Sequence, residues 1–332
     1  MTPDVLTSLR QRLPREMQFN YYADRQSPWL LTHSMPDQAK IAQLRALPVG
    51  KLLSRPAMAV LIARSGGLLR RSDLAAIAYA DRFDLHDQAG PTGRAALDAV
   101  WALTWQDFLL SFAEWGKGGN WANLQLSREG GNLVIQLGFP SDHAELLGRY
   151  LDKDVRQKFE EQLHPVRRDG RPTLAWARVD VDFDTGEALI EEVQSDWLRN
   201  VADEVDWLAS SEPRSRDLRA HQAYKQALFA RYAKVWPQAM LLATLVILRD
   251  LLGLRRIWMH QPEPGAILKG IRYSLPPRSL YTALPKAFCF APVREIPALL
   301  DQRRMPRLQR QRVKAVKAMA RIGRAVFWRL DL

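Results

Sequence analysis

The middle of the chain allows only one local structure. From Thr173 to Asp184 it alternates Leu174, Trp176 or Val179, Val181 and Phe183 with polar residues; Asp184-Thr-Gly-Glu187 is turn chemistry, and Ala188 to Gln194 runs back. A period of two on either side of such a turn is a β-hairpin, which rules out an all-helical fold. In this reading Asp180, Asp182 and Asp184 share the solvent face, while Val179, Val181 and Phe183 face inward. With Glu191, the three aspartates stand at positions 1, 3, 5 and 12 of an EF-hand calcium loop. The glycine that such a loop needs at its sixth position is Thr185, with Gly186 one residue late, and the flanks are strands. No calcium or other metal is therefore expected.

The hairpin has strands and helices around it, so the fold class expected is α+β. Asn132 to Phe139 reads as a strand, and Ser141 as the N-cap of a helix that follows it. Another helix fits Asp154 to Leu163. Residues 198 to 253 read as helices broken at Pro213 and Pro237, the last of them apolar all round and so buried. Gly253 ends that helix and Arg256 to His260 returns as a strand. Pro264 to Arg272 and Pro277 to Phe288 are short helical pieces, and Phe288 to Pro292 is an edge strand around the single cysteine, Cys289. Before the hairpin, Leu97, Trp101, Trp105, Phe108 and Phe112 recur at helical spacing, which predicts a helix over Gly93 to Glu114. The expected organisation is a helical, Trp-rich region over 1–130, an α/β domain over 131–300 and a basic helix over 301–332.

The charge supports that last division. The chain carries a net +12, and residues 302 to 332 hold ten Lys and Arg against the single acid Asp331. Arg303, Arg307, Arg310, Lys314, Lys317, Arg321 and Arg324 follow a 4-3-4-3 spacing, one face of a helix, with Leu308, Val313, Val316, Met319, Ile322 and Val326 on the opposite arc. Such a face suits an anionic partner, nucleic acid first and an anionic membrane surface second; the alternative is a terminal helix docked on the core with solvated cations outside. The longest apolar run, Ala239 to Leu248, is too short to span a bilayer, and the first thirty residues lack a signal-peptide core. A cytoplasmic location is the expectation.

Several chemistries are excluded by what is missing. The chain has no phosphate loop, dinucleotide fingerprint, H-E-x-x-H or G-x-S-x-G, and its six histidines show no ligand spacing. Glu191 and Glu192 remain: adjacent acids in a strand must face opposite ways, and one facing the core is either paired or a general base. The alternative is a surface acid beside a paired one.

Glu191-Glu-Val-Gln-Ser-Asp-Trp197 resembles an E-I/V-Q-S-D-W signature of uncharacterised domains in phage and mobile-element proteins. A G-x-x-x-I-W strand (Gly253 to Trp258) and an L-Y-x-x-L-P-K segment from Leu280 follow it here as they do there. The order of hairpin, helix, strand and helix over residues 173–291 is also similar to the second half of the GNAT fold of N-acetyltransferases, with Leu280-Tyr281 and Phe290 at its end. The resemblance implies a mixed sheet, an acetyl-coenzyme A or other acyl-coenzyme A site, Glu191 or Glu192 as general base and Tyr281 as general acid. His260, at the end of the next strand, joins this catalytic set. The GNAT pyrophosphate turn is glycine-rich, whereas this chain has no glycine between Gly186 and Gly253; Lys234 and Gln238 are the polar candidates for that role. The function expected is an acyltransferase-like protein acting on an anionic or nucleic-acid-associated substrate. The alternative is a non-enzymatic nucleic-acid-binding adaptor of phage or mobile-element context that uses the basic helix.

Overall fold

A computed structural model describes residues 1–116, 125–152, 155–167, 169–271, 275, 277–300 and 306–332. The chain forms two compact units, one of residues 1–19, 107–285 and 290–331, the other of 20–106, 286–289 and 332, rather than dividing near 130. Ten strands occur in chain order: β1 Glu16–Tyr22, β2 Gln38–Lys40, β3 Leu68–Arg70, β4 Trp105–Trp115, β5 Asn132–Gly138, β6 Thr173–Asp182, β7 Glu187–Gln194, β8 Arg256–His260, β9 Ala291–Val293 and β10 Phe327–Asp331.

The smaller unit is helical around a two-stranded β2–β3 sheet. Besides α1 Pro3–Arg12 of the larger unit, the first hundred residues carry α2 Gln26–Ser34, α3 Ile41–Arg45, α4 Ala59–Arg64, α5 Arg71–Ala78 and α6 Pro91–Trp101. Helix α5 packs between α2 and α6, and Arg25 pairs with Asp81 at 2.9 Å while donating to the carbonyl of Ala78. Cys289, set by a left-handed backbone, donates its thiol to the carbonyl of Pro48.

In the larger unit an eight-stranded sheet runs β1-β4-β5-β6-β7-β8-β10-β9. From β4 to β7 neighbours are antiparallel, β7 and β8 are parallel, and β8, β10 and β9 are again antiparallel. The parallel pair needs a long crossover, supplied by α9 Asp196–Ser211, α10 Arg216–Tyr232 and α11 Trp236–Val246, the last running on as a π-helical turn to Leu251. Helix α11 packs on β6 and β7, and its residues 239–245 are buried all round, as the apolar run requires. The shorter α7 His143–Gly148 and α8 Arg156–Phe159 precede the hairpin, and α12 Pro262–Lys269, α13 Leu284–Ala287 and α14 Arg307–Arg321 follow β8. Helix α7 is entered through Asp142, with no side-chain cap from Ser141. Helix α8 is four residues long, shorter than the span the sequence suggests.

The structure corrects three further expectations. The helix expected over Gly93 to Glu114 ends at Trp101, and Trp105 to Trp115 is strand β4, so region 1–130 is not wholly helical. Phe108 and Phe112 are four apart, a spacing that shares a face in both a helix and a strand; burial of Gln106, Phe108 and Leu110 shows the period is two.

The second correction concerns the hairpin's aspartates: Asp184 is exposed as expected, but Asp180 and Asp182 do not face water. Asp180 and Asp182 are buried under Arg128, whose guanidinium holds Asp180 at 2.7 Å and Asp182 at 2.8 Å. Among the described residues no cluster of acids, histidines or cysteines is arranged for a metal.

The third is the tail, which is not one appended helix. Helix α14 stops at Gly323, whose positive φ allows the Arg324 N–H to reach the Met319 carbonyl and the Gly323 N–H that of Ala320. The chain then enters the sheet as β10, between β8 and β9. Val313 and Val316 of α14 pack with Leu189, Trp258, Leu268, Leu299, Leu300, Val326 and Phe327, so the helix is docked on the core, while Leu308 and Ile322 of the expected apolar arc are exposed.

Candidate functional site

The site begins with an irregularity in β7. Val179 of β6 is opposite Ile190 and Arg178 is opposite Glu192, so Glu191 is the extra residue of a β-bulge. On its other edge β7 pairs with β8 only as far as Ile190 opposite Met259. Strand β8 ends one residue further, at His260, while β7 runs on to Gln194, and a cavity of about 400 Å³ lies where their pairing stops. Its wall includes Glu192, Val193 and Gln194 of β7, His260 of β8, Gly265, Ala266 and Lys269 of α12, and Trp236, Leu280 and Tyr281. Mostly apolar lining with a few convergent polar groups is the composition of a small-molecule site, and the carboxyl ends of parallel strands are where open sheets bind ligands.

Three of the four residues expected to be catalytic, Glu192, His260 and Tyr281, therefore line one cavity. The fourth, Glu191, touches the second of them. Glu191 Oε2 lies 2.9 Å from His260 Nε2 and accepts from Ser127 Oγ at 2.7 Å, while Oε1 accepts the Ser127 N–H at 3.1 Å. Ser127 Oγ and His260 Nε2 are 3.0 Å apart, which closes a buried triangle. The His260 ring is packed against Gly265, where a Cβ would lie 2.7 Å from the histidine Cβ; only glycine admits α12 this close.

Glu192 has different partners. Arg178, fully buried, donates to it at 2.5 Å and also to the carbonyl of Gln125, and Lys269 Nζ lies 4.0 Å away while donating to the Glu191 carbonyl at 3.2 Å. Both acids are thus paired, one of the alternatives the sequence left open. Burial works to raise the Glu191 pKa, but the hydrogen bond and charge of His260, with Arg178 and Lys269, hold it down to about 2. For Glu192 burial is likewise outweighed, by Lys269 and Arg178, and its pKa is lowered. Burial lowers that of His260, opposed by Glu191 and helped by Lys269 and Arg178. Burial, then the neighbouring Glu192, pushes the Tyr281 phenol up, so it keeps its proton. The Tyr281 hydroxyl accepts the Val193 N–H at 3.3 Å.

The rest of the motif ties the end of β7 to its surroundings. Ser195 Oγ donates to the Leu174 carbonyl at 2.6 Å, Asp196 accepts from Trp176 Nε1 at 2.8 Å and pairs with His164 at 2.9 Å, and Trp197 Nε1 donates to the Tyr224 hydroxyl at 2.9 Å. Lys234 is exposed and Gln238 half-buried at the start of α11; the cavity wall there is Trp236, between them. On α14, Arg307, Arg310, Lys314 and Arg321 are exposed, Lys317 is half-buried and Arg324 pairs with Glu263. Arg303 lies outside the described residues. Sequence reasoning missed Ser127, Arg178 and Lys269; of these, Arg178 alone was within reach, as the cross-strand partner of the paired acids.

Comparison with family models, curated proteins and solved structures returns no match. Among the described residues no helix is long and apolar enough to cross a membrane.

Proposed function

We propose that the cavity between the parted ends of β7 and β8 is the donor site of a GNAT-like acyltransferase acting on an anionic or nucleic-acid-associated substrate. The observation that carries this reading is the parallel β7–β8 pair, bulged at Glu191 and unpaired beyond Ile190 and Met259, with the cavity at its opening. The strand order from β4 to β9, antiparallel on either side of one parallel pair, supports it as well.

The residues fit the acyl end of an acyl-coenzyme A. Val193, Trp236, Ala266 and Leu280 supply apolar wall, and the Val193 N–H is given to a side-chain hydroxyl rather than to a strand. The phosphate end fits less well: α9 follows β7 through Ser195, which makes no side-chain cap, and no glycine-rich turn opens it. When bound, the group supplies an acyl carbon bearing a thiol leaving group. Tyr281 holds its proton at the cavity wall, with no acceptor for it among the described residues, and so is placed to give it to a leaving group. Glu192, Lys269 and His260 are the polar groups that would orient an acceptor substrate.

A thermal-shift titration of the full chain with acetyl-coenzyme A tests the proposal. Ligand at a hundred times its Kd stabilises by about 2.7 kcal/mol, roughly 4 °C for a chain of this size. No shift at millimolar ligand would overturn it.

Helix α14 supports a second reading, a non-enzymatic nucleic-acid adaptor. Arg307, Arg310, Lys314 and Arg321 are exposed and have no ion-pair partner among the described residues, while the opposite side of the helix is docked. Duplex binding that falls steeply with salt, and loses slope in an R310E/K314E/R321E variant, is the expected behaviour; binding unchanged by the three reversals would sink it.

A further inference from the structure

The protonation of His260 follows from its surroundings. Glu191 is an anion at neutral pH and can only accept, and its Oε2 lies 2.9 Å from His260 Nε2. A bare Nε2 would set a lone pair against a carboxylate at that distance, so Nε2 carries a proton. The Ser127 hydroxyl donates to the same carboxylate at 2.7 Å and offers its own lone pair to Nε2–H at 3.0 Å. The groups facing the ring are Glu191 and Glu192 of β7, Arg178 of β6, Lys269 of α12 and Tyr281, and within this set burial keeps the imidazole neutral. A neutral ring protonated at Nε2 leaves Nδ1 bare. Nδ1 is buried and has no hydrogen-bond partner among the described residues, on a ring that lines the cavity. A buried lone pair without a donor calls for one from outside the chain.

We infer that His260, and not either glutamate, is the proton acceptor of this cavity, and that the ligand it receives presents an amine or hydroxyl. Glu191 and Ser127 are positioning residues: they fix the tautomer that leaves Nδ1 bare and stabilise the imidazolium once it forms, the role a buried carboxylate plays behind a catalytic histidine. In the transfer the acceptor's N–H or O–H bond breaks and an Nδ1–H bond forms. The electron pair left on the acceptor atom makes the new bond to the acyl carbon, and the leaving group takes its proton from Tyr281. The inference rests on the cavity being a ligand site. Its test uses no acyl-coenzyme A, so failure here and failure of acetyl-coenzyme A to bind are separate results.

The test is the tautomer and reactivity of His260 in the full chain. Long-range proton–nitrogen NMR of histidine-labelled protein at neutral pH is expected to show Nε2 protonated and Nδ1 bare, and E191Q is expected to let the Nδ1–H tautomer appear. Diethyl pyrocarbonate, which acylates a bare imidazole nitrogen, is expected to modify His260 through the cavity although its surface is only 1% exposed. A wild-type ring protonated at Nδ1, or a His260 that stays unmodified while the half-buried His164 reacts, would overturn the assignment. Both wild-type measurements stand even if E191Q does not fold.

Discussion

Replacing Glu191 by glutamine removes one charge and changes almost no volume, so its cost is electrostatic and its pH dependence is diagnostic. In the folded protein the carboxylate accepts from the Ser127 N–H and hydroxyl and faces His260 Nε2, and its pKa is held at about 2 against an ordinary value of 4.5. A folded pKa below the unfolded one stabilises above the unfolded value, and that stabilisation is lost as pH falls toward the folded value. A depression of this size corresponds to about 3 kcal/mol at pH 7, of which about 2 kcal/mol is gone by pH 3. His260, its pKa lowered chiefly by burial, acts in the same direction: its neutral folded form loses ground to a protonated unfolded chain as pH falls through the ordinary histidine range. Urea unfolding of wild type and E191Q at several pH values between 3 and 7 gives the difference directly. The expected difference is about 3 kcal/mol at pH 7, shrinking to about 1 kcal/mol at pH 3. A difference that stays constant over that range would refute the claim that the carboxylate is ionised and paired in the folded chain.

Other parts of the site give sharper, smaller tests. Arg178→Met leaves Glu192 with only the more distant Lys269 and should destabilise by about 3–5 kcal/mol in urea unfolding, while R178M/E192M should recover much of that, since removing both partners costs less than removing one. Tyr281→Phe removes the acceptor of the Val193 N–H and should cost about 1 kcal/mol, with faster amide exchange at Val193 as the local readout. On α14, Val316→Asp puts a charge into the cluster with Leu189 and Trp258 and should cost about 3 kcal/mol or more, whereas Lys314→Glu on the exposed face should stay within about 0.5 kcal/mol; equal effects would mean that the helix is not docked as described.

The strongest local patterns were legible in the sequence and the long-range pairings were not. The hairpin of β6 and β7, the buried α11 and strand β8 follow from period, turn chemistry and apolar run, all of which are local. Strand β4 was hidden because its aromatics, at 105, 108, 112 and 115, follow the three-and-four spacing of a helix face, although Phe108 and Phe112 share a face in a strand as well. The last strand was hidden by the charge run before it, although Gly323 marks the stop at which α14 reverses into the sheet. For the site, Glu192, His260 and Tyr281 were found as types in a strand, a strand end and a downstream segment, and the fold brings them to one cavity. Ser127 was invisible because nothing local distinguishes it; it acquires meaning from a carboxylate sixty-four residues away. The bulge at Glu191 could not be read either, because it depends on the register of the partner strand; it falls where the pairing of β7 with β8 ends and beside the cavity.

Hydrogen exchange of the full chain with and without acetyl-coenzyme A tests the central claim most directly, because it reports where a ligand sits. If the parting of β7 and β8 is the donor site, protection concentrates on the amides of residues 191–195 and of 261–271, with the Val193 N–H slowed in the complex. Protection confined to other segments, or none at saturating ligand, would contradict it.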